Sequence, residues 1–226
     1  MTTSPKAQKK SKSQPFTVET VSRIPQQGRS KASLQRMLAA ARALMVERSS
    51  EDFTLIEVSK HGNVSIGSIY LRFESKDNLV RAVIAETMQD MAKAEDRMIA
   101  KLASTCPTLA DFVPQFVEAY ATVLSEYSPL LRLAMVRAEY DPLVAEPGKA
   151  AALEAEAKST LAMLSYDKEI GQDDPTMRAR AAYFVIFSTL ARQLGLGSTR
   201  ESIGNRDWTM LKRELGRMCL AYLTAD

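Results

Sequence analysis

The amino-acid sequence predicts an all-α protein of about nine helices. Nine glycines and nine prolines among 226 residues are few, and the Ala-rich, aliphatic composition favours helices over strands. Beyond residue 30, apolar residues recur at helical spacing through most of the chain. With 46% apolar residues, the chain has enough apolar surface for a sizeable core. We expect a small N-terminal helical domain, a long connecting helix and a larger C-terminal helical domain.

The N-terminal segment carries most of the positive charge. Residues 1–31 contain seven Lys or Arg and one Glu, a net charge of +6, so the remaining residues carry a net −3. Residues 1–28 are rich in Ser, Lys, Gln and Pro and lack apolar periodicity, which predicts a disordered basic tail. Such a tail also suits electrostatic contacts with nucleic-acid phosphates.

Residues 30–48 form the first predicted helix, and residues 54–76 contain the most informative pattern of the chain. Thr54 and Glu57 have the spacing of a capping box at a helix start. Gly62-Asn63 ends that helix, because both residue types tolerate the left-handed conformation of a sharp turn. Ser65 then caps a second short helix. Two helices joined by a tight turn are the geometry that places the second helix in the DNA major groove.

The rest of the chain is divided by proline and capping residues into further helices. The long connecting helix is expected over residues 75–104, free of Gly and Pro. Ser128-Pro129 predicts that one helix ends and another restarts. A loop with three glycines is expected over residues 195–205. The other predicted helices span residues 107–127, 129–140, 150–164, 175–194 and 207–222.

The last two helices are the candidates for a dimer interface. The helix over residues 176–194 is apolar over most of its circumference, and the last helix has an apolar stripe with spacing 3, 4, 3, 4. A monomer core would also account for both patterns, but we favour a four-helix interface between two copies. The residues expected in it are Phe184, Leu194, Trp208, Leu211, Leu215, Met218 and Tyr222.

Residues 30–85 resemble the TetR family of bacterial transcriptional regulators. The segments that carry the resemblance are LAAARAL from residue 38, TLIEVS from 54, VSIGSIY from 64, Phe73 and SKDNL from 75. The resemblance implies a DNA-binding domain over residues 29–80, with its helix-turn-helix at 54–73, and an effector-binding and dimerisation domain over residues 81–226. It also implies a homodimer on a palindromic double-stranded operator, acting as a repressor that a small hydrophobic effector releases.

Helical spacing separates two faces of the second short helix. Ile69 and Phe73 should pack into the core together with Val64, so that the neighbouring positions face outward. Arg72 is the best candidate to read guanine, because a guanidinium bonds its O6 and N7 atoms together. The complete set of predicted DNA-binding residues is Arg29, Lys31, Thr54, Ser65, Ile66, Gly67, Ser68, Tyr70, Leu71, Arg72 and Lys76.

Individual members of this set have simpler explanations. Ile66 or Leu71 could contact a thymine methyl group. The resemblance suggests a phosphate contact for Tyr70, but Tyr70 could equally be a packing residue. Arg72 could pair with Glu74 at the surface, and capping already accounts for Thr54. The DNA-binding hypothesis therefore rests on the set as a whole.

The resemblance also implies an effector pocket in the second domain. Its predicted lining is apolar and adaptable: Met88, Met91, Phe112, Phe116, Tyr120, Leu131, Met135, Met163, Tyr183 and Phe187. Residue by residue, an ordinary core accounts for the same side chains. Arg132, Arg137 and Arg180 could orient an anionic effector or form salt bridges.

Other function classes find little support in the sequence. It contains no nucleophile-elbow motif, no Gly-rich phosphate loop and a single histidine, His61, so we expect no enzyme activity, no metal and no cofactor. No membrane span or signal peptide is apparent, and we expect a cytoplasmic protein with two reduced cysteines. The competing hypothesis is a DNA-binding protein without an effector, either architectural or regulated by a partner protein.

Overall fold

The computed structural model describes residues 16–22, 28–171, 173–196 and 207–225, and this part of the chain is all-α, as predicted. A 3₁₀ turn, Asp167–Glu169, precedes the last two helices. The α-helices of the described residues are α1 (Val18–Val21), α2 (Gly28–Arg48), α3 (Leu55–His61), α4 (Ile66–Arg72), α5 (Lys76–Thr105), α6 (Leu109–Ala138), α7 (Pro142–Leu164), α8 (Pro175–Gln193) and α9 (Trp208–Thr224).

Side-chain caps set the starts of most helices. The Ser65 hydroxyl accepts from the Ser68 amide at 3.1 Å, and the Ser75 hydroxyl accepts from the Asn78 amide at 3.2 Å. Asp207 accepts from two amides at the start of α9. These contacts satisfy amides that lack a partner within the helix. The predicted helix starts at Ser65, Ser75 and Asp207 are thus confirmed.

The prediction of a helix break at Ser128-Pro129 is wrong, because α6 runs through both Pro114 and Pro129. A proline inside a helix leaves the carbonyl four residues earlier without its amide donor. Here the Ser128 hydroxyl donates to the Ser125 carbonyl at 3.0 Å, and Ser125 is four residues before Pro129. A side-chain donor therefore replaces the missing amide, and the helix continues.

Helix α7 also begins earlier than predicted. Its N-cap is Asp141, whose carboxylate accepts from the Leu143 amide at 3.2 Å, with Pro142 in the first turn. Proline is well suited to this position, since its fixed φ is helical and the first amides need no partner. Residues 142–149, which the sequence left outside a helix, thus belong to α7, with Pro147 inside it.

Part of the predicted tail is folded. The side chain of Val18, in α1, is buried, and α1 packs against α5. Because a four-residue turn shows no periodicity, the sequence pattern could not reveal this contact. The predicted Gly-rich loop falls mainly on residues 197–206, which lie outside the described residues.

Two apolar cores lie along the molecule. The first joins α2, α3 and α4 to the start of α5, and it includes Leu130, Ala134 and Val144 from α6 and α7. The second joins the C-terminal part of α5 and the N-terminal part of α6 to α8 and α9. Helices α5 and α6 thus contribute residues to both cores and connect them. None of the described helices has the length and apolar character needed to cross a membrane.

Candidate nucleic-acid interface and internal cavity

The start of α3 is fixed by a capping box and an ion pair. The Glu57 amide donates to the Thr54 hydroxyl at 3.2 Å, and the Thr54 amide donates to the Glu57 carboxylate at 2.7 Å. Arg48 binds the same carboxylate at 2.6 Å. The Arg48 guanidinium and the Thr54 amide hold the pKa of Glu57 down at about 2. The helix start is therefore tied to the end of α2.

The turn between α3 and α4 uses its two central residues differently. Asn63 alone has a left-handed backbone, with φ of 46°, whereas Gly62 has φ of −86°. Of the two residue types that tolerate the left-handed conformation, only Asn63 adopts it in this turn. A Cβ at Gly62 would lie 2.9 Å from the Arg36 carbonyl oxygen. Glycine is needed there because α3 approaches the backbone of α2.

One face of α4 packs into the first core, as predicted. Ile69 and Phe73 are fully buried, and Val64 is nearly so. The opposite face presents apolar side chains to solvent: Tyr70 is 57% and Leu71 73% exposed. These two residues, with Ile66 and Gly67, form the exposed face of α4. A Cβ at Gly67 would meet nothing within 4 Å, so this surface is open.

Arg72 does not face outward, which corrects the sequence-based prediction. Its side chain is buried, and burial lowers its pKa. The reason is positional: Arg72 follows Ile69 by three residues and therefore lies near the core face of α4. A guanidinium in this position cannot read a guanine edge without leaving the domain interior.

Lys76 also differs from its predicted role as a phosphate contact. Its ammonium donates to the Glu51 carbonyl at 2.8 Å and to the Phe53 carbonyl at 3.2 Å, and it lies 5.2 Å from the centre of the Phe53 ring. The side chain thus anchors the segment before α3. It is a structural contact in the described protein.

The remaining predicted DNA-binding residues are accessible to different degrees. Thr54 and Ser65 are exposed but already cap helices, and the Ser65 hydroxyl lies 2.7 Å from that of Ser68. Lys31 is exposed in the first turn of α2. The side chain of Arg29 lies outside the described part of the structure.

A charged cluster links the first core to the start of α7. Arg137, at the end of α6, is buried and donates to Glu51 at 2.5 Å, to Asp77 at 2.7 Å and to Asp141 at 2.7 Å. Arg81 also binds Asp141, at 2.8 Å. The two guanidinium groups lower the pKa of Asp141 despite its burial. The cluster thereby joins α5, α6, α7 and the loop before α3.

A cavity of about 470 Å³, partly open to solvent, lies between α5, α6, α7 and α8. Most of its lining is apolar, and α7 contributes a row of alanines. Seven of the predicted pocket residues line it: Met88, Met91, Tyr120, Leu131, Met135, Tyr183 and Phe187. The other three, Phe112, Phe116 and Met163, were assigned wrongly, because they are fully buried in the second core.

Polar groups in the cavity wall were largely missed by the sequence reasoning. Glu95 lines the cavity at only 7% exposure, and its Oε1 atom has no hydrogen-bond partner among the described residues. Burial raises the pKa of Glu95 to about 7. The hydroxyls of Tyr120 and Tyr183 are hydrogen-bonded to each other at 3.0 Å. A charged residue within a long amphipathic helix gave no signal in the sequence that it was buried.

The three arginines considered for an anionic effector do not line the cavity. Arg132 donates to the Leu194 carbonyl at 2.8 Å, and Arg180 binds Glu156 at 2.8 Å. Arg137 belongs to the charged cluster described above. All three are therefore structural contacts.

The predicted dimer residues divide into two groups. Phe184 is 68%, Met218 59% and Tyr222 46% exposed, so these apolar side chains face solvent in the monomer. Leu215 is fully buried in the second core, which corrects its assignment to the interface. Trp208, Leu211 and Leu194 are partly buried. The core face of α9 instead carries Leu215, Gly216, Cys219 and Leu223.

Comparison with known proteins identifies the N-terminal domain by its sequence. The family model of bacterial regulatory proteins of the tetR family matches residues 37–83, which extend from α2 into α5. No curated relative matches the chain.

Several solved structures share the fold of this chain. A protein from Mesorhizobium loti assigned to the TetR-family transcriptional regulators superposes with a TM-score of 0.66 at 20% identity, over 88% of this chain and 96% of that one. Salmonella enterica GusR gives 0.58 at 21% identity, over 84% and 95%. A tetR-family transcriptional regulator from Streptomyces coelicolor gives 0.57 at 16% identity, over 84% and 81%. At such identities the likeness establishes the fold.

Proposed function

We propose that this chain, whose residues 37–83 match the tetR family model, is a sequence-specific DNA-binding transcriptional regulator of the TetR family that works in the cytoplasm. The observation that carries this proposal is the exposed face of α4. Its exposed apolar side chains, Tyr70 and Leu71, lie on the second helix of the helix-turn-helix, which is the helix that this motif places in the major groove. In the major groove, Leu71 would meet thymine methyl groups, and Tyr70 would reach a phosphate.

A pair of matched substitutions tests the role of α4. Leu71→Glu places a carboxylate where DNA phosphates and base edges would approach. Leu161→Glu makes the same change at a residue of similar exposure on α7, far from α4 in the chain. A random duplex pool should be retained by the wild type and by Leu161→Glu, but not by Leu71→Glu. Equal retention by both variants would contradict the assignment.

We propose that the regulator is a homodimer formed through α8 and α9. These helices pack on each other, and both carry exposed apolar residues, including Phe184 and Met218. A two-fold dimer would cover these residues and place two copies of α4 on a palindromic site. Phe184→Glu should sediment as a monomer, whereas Leu161→Glu should remain a dimer. If Phe184→Glu also remained a dimer, this interface would be excluded.

We propose further that the cavity binds a small hydrophobic effector, which releases the protein from an operator that it represses. Ala134 and Val144 support this mechanism, because both line the cavity and also belong to the first core, which holds α3 and α4. A bound molecule that alters their packing would change the equilibrium between conformations of the DNA-binding domain. A ligand at 100 times its Kd should raise stability by about 2.7 kcal/mol.

A further inference from the structure

The cavity wall combines an apolar surface with a buried carboxylate. Met88, Met91 and Leu131 form part of the apolar lining, and Glu95 enters it from α5. Buried side-chain oxygens are nearly always hydrogen-bonded. The Oε1 atom of Glu95 has no such partner among the described residues. The cavity wall therefore contains a buried acceptor, in a residue that is only 7% exposed, and none of the described residues supplies its donor.

The cations near the cavity do not supply that donor. Lys158 lines the cavity, but its ammonium is held by Asp96 at 2.7 Å and Glu154 at 2.8 Å. Lys149 also lines the cavity and is exposed to solvent. The nearby acids oppose ionisation of Glu95, while the attraction of Lys158 only partly offsets its burial.

We propose that the cavity takes a lipophilic amine, with its protonated nitrogen bound to the Glu95 carboxylate and its apolar part among the methionines. An ammonium group supplies both the missing hydrogen-bond donor and the opposite charge. The Phe187 ring and the tyrosine pair of the cavity wall offer further favourable contacts to a cation. An anionic ligand would instead bring a second negative charge to a buried carboxylate. The inference rests on the proposed function, since it names the chemical class of the effector.

The pH dependence of binding follows from the charges around Glu95. Asp96 lies beside it on α5, Glu154 and Lys158 lie on α7, and the hydroxyls of Tyr120 and Tyr183 come from α6 and α8. With a pKa of about 7, Glu95 has to lose its proton to bind an ammonium group below neutral pH. Amine affinity should therefore rise as pH increases through 7. A neutral ligand should show no comparable rise.

Three probes of similar size separate charge from shape. We would titrate the full chain with 4-phenylbutylamine, 4-phenylbutan-1-ol and 4-phenylbutyrate, using calorimetry between pH 6 and pH 8. The amine should bind about tenfold more tightly than the alcohol at the upper pH, and the carboxylate should bind most weakly. Glu95→Gln should abolish the preference for amine over alcohol, together with the pH dependence. Glu146→Gln, at an exposed position on α7, should preserve both.

Each contrary outcome identifies which statement fails. Equal binding of amine and alcohol by the wild type, tightest binding of the carboxylate, no binding of any probe, or an unchanged amine affinity in Glu95→Gln would each overturn the proposal. The wild-type pH profile tests it even if Glu95→Gln does not fold. DNA binding is measured separately on the same preparations. Amine binding without DNA binding would refute the proposed function but would still establish the amine-binding site at Glu95.

Discussion

Removing Arg137 tests whether the charged cluster holds the loop before α3 and the start of α5 against α6 and α7. Its guanidinium donates to three carboxylates from three different segments, at 2.5 to 2.7 Å, and is 3% exposed. Arg137→Met keeps most of the side-chain volume but leaves those carboxylates without this partner. Deleting one member of a buried ion pair costs roughly 3–5 kcal/mol.

The structure places the expected loss at the lower end of this range. Asp141 is 4% exposed, but in the variant it would still be bound by Arg81, which lies 2.8 Å from it. Asp77 is 60% exposed, so water can hydrate it when Arg137 is absent. We therefore expect Arg137→Met to lower the free energy of unfolding by about 3 kcal/mol at neutral pH. The contribution of the two aspartates, whose pKa values are lowered, is present above their ordinary pKa and is lost as pH falls below it.

Urea unfolding followed by circular dichroism measures this loss. Arg213→Met is the matched control, because Arg213 is 67% exposed and pairs with the adjacent Glu214 on the surface of α9. The control should stay within about 0.5 kcal/mol of the wild type. A loss below about 1 kcal/mol for Arg137→Met, or a loss that persists at acidic pH, would refute the reasoning.

Three further predictions concern single residues. Gly62→Ala should destabilise the domain by about 1–3 kcal/mol in the same urea assay, because its Cβ would lie 2.9 Å from the Arg36 carbonyl oxygen, whereas Gly67→Ala should not. Lys76→Met should lower stability by about 1–2 kcal/mol, through lost hydrogen bonds to carbonyls. Its DNA affinity should keep the wild-type salt dependence, and a slope reduced by about 1 would instead indicate a phosphate contact. Glu95→Gln should be more stable than the wild type by up to about 3 kcal/mol at pH 8 and equal to it near pH 4.5. The reason is that burial raises the pKa of Glu95 in the folded wild type to about 7, so the wild type loses stability as pH rises through 7. A constant difference across this pH range, in thermal or urea unfolding, would exclude that explanation.

Local chemistry made much of the fold predictable. The capping residues Thr54, Ser65 and Ser75 each act through contacts within three residues, so sequence spacing is sufficient to locate them. The burial of Ile69 and Phe73 follows from helical periodicity in the same way.

The errors arise where a contact depends on a partner that spacing does not specify. Arg72 is on the core side of a seven-residue helix, too short for its faces to be separated reliably by pattern. Pro129 continues a helix because a neighbouring hydroxyl takes the place of an amide donor. Whether an apolar residue lines the cavity or fills the core, as Met88 and Phe112 show, depends on the helix packed against it.

We propose that the exposed face of α4 reads DNA sequence in a two-fold dimer. The most direct test is to select bound duplexes from a random DNA library with the purified protein at a stated salt concentration. We expect a palindromic consensus whose half-sites are about one helical turn apart, or a multiple of it. Retention of duplexes without any enriched sequence, with binding that only weakens as salt rises, would contradict the account and favour an architectural role.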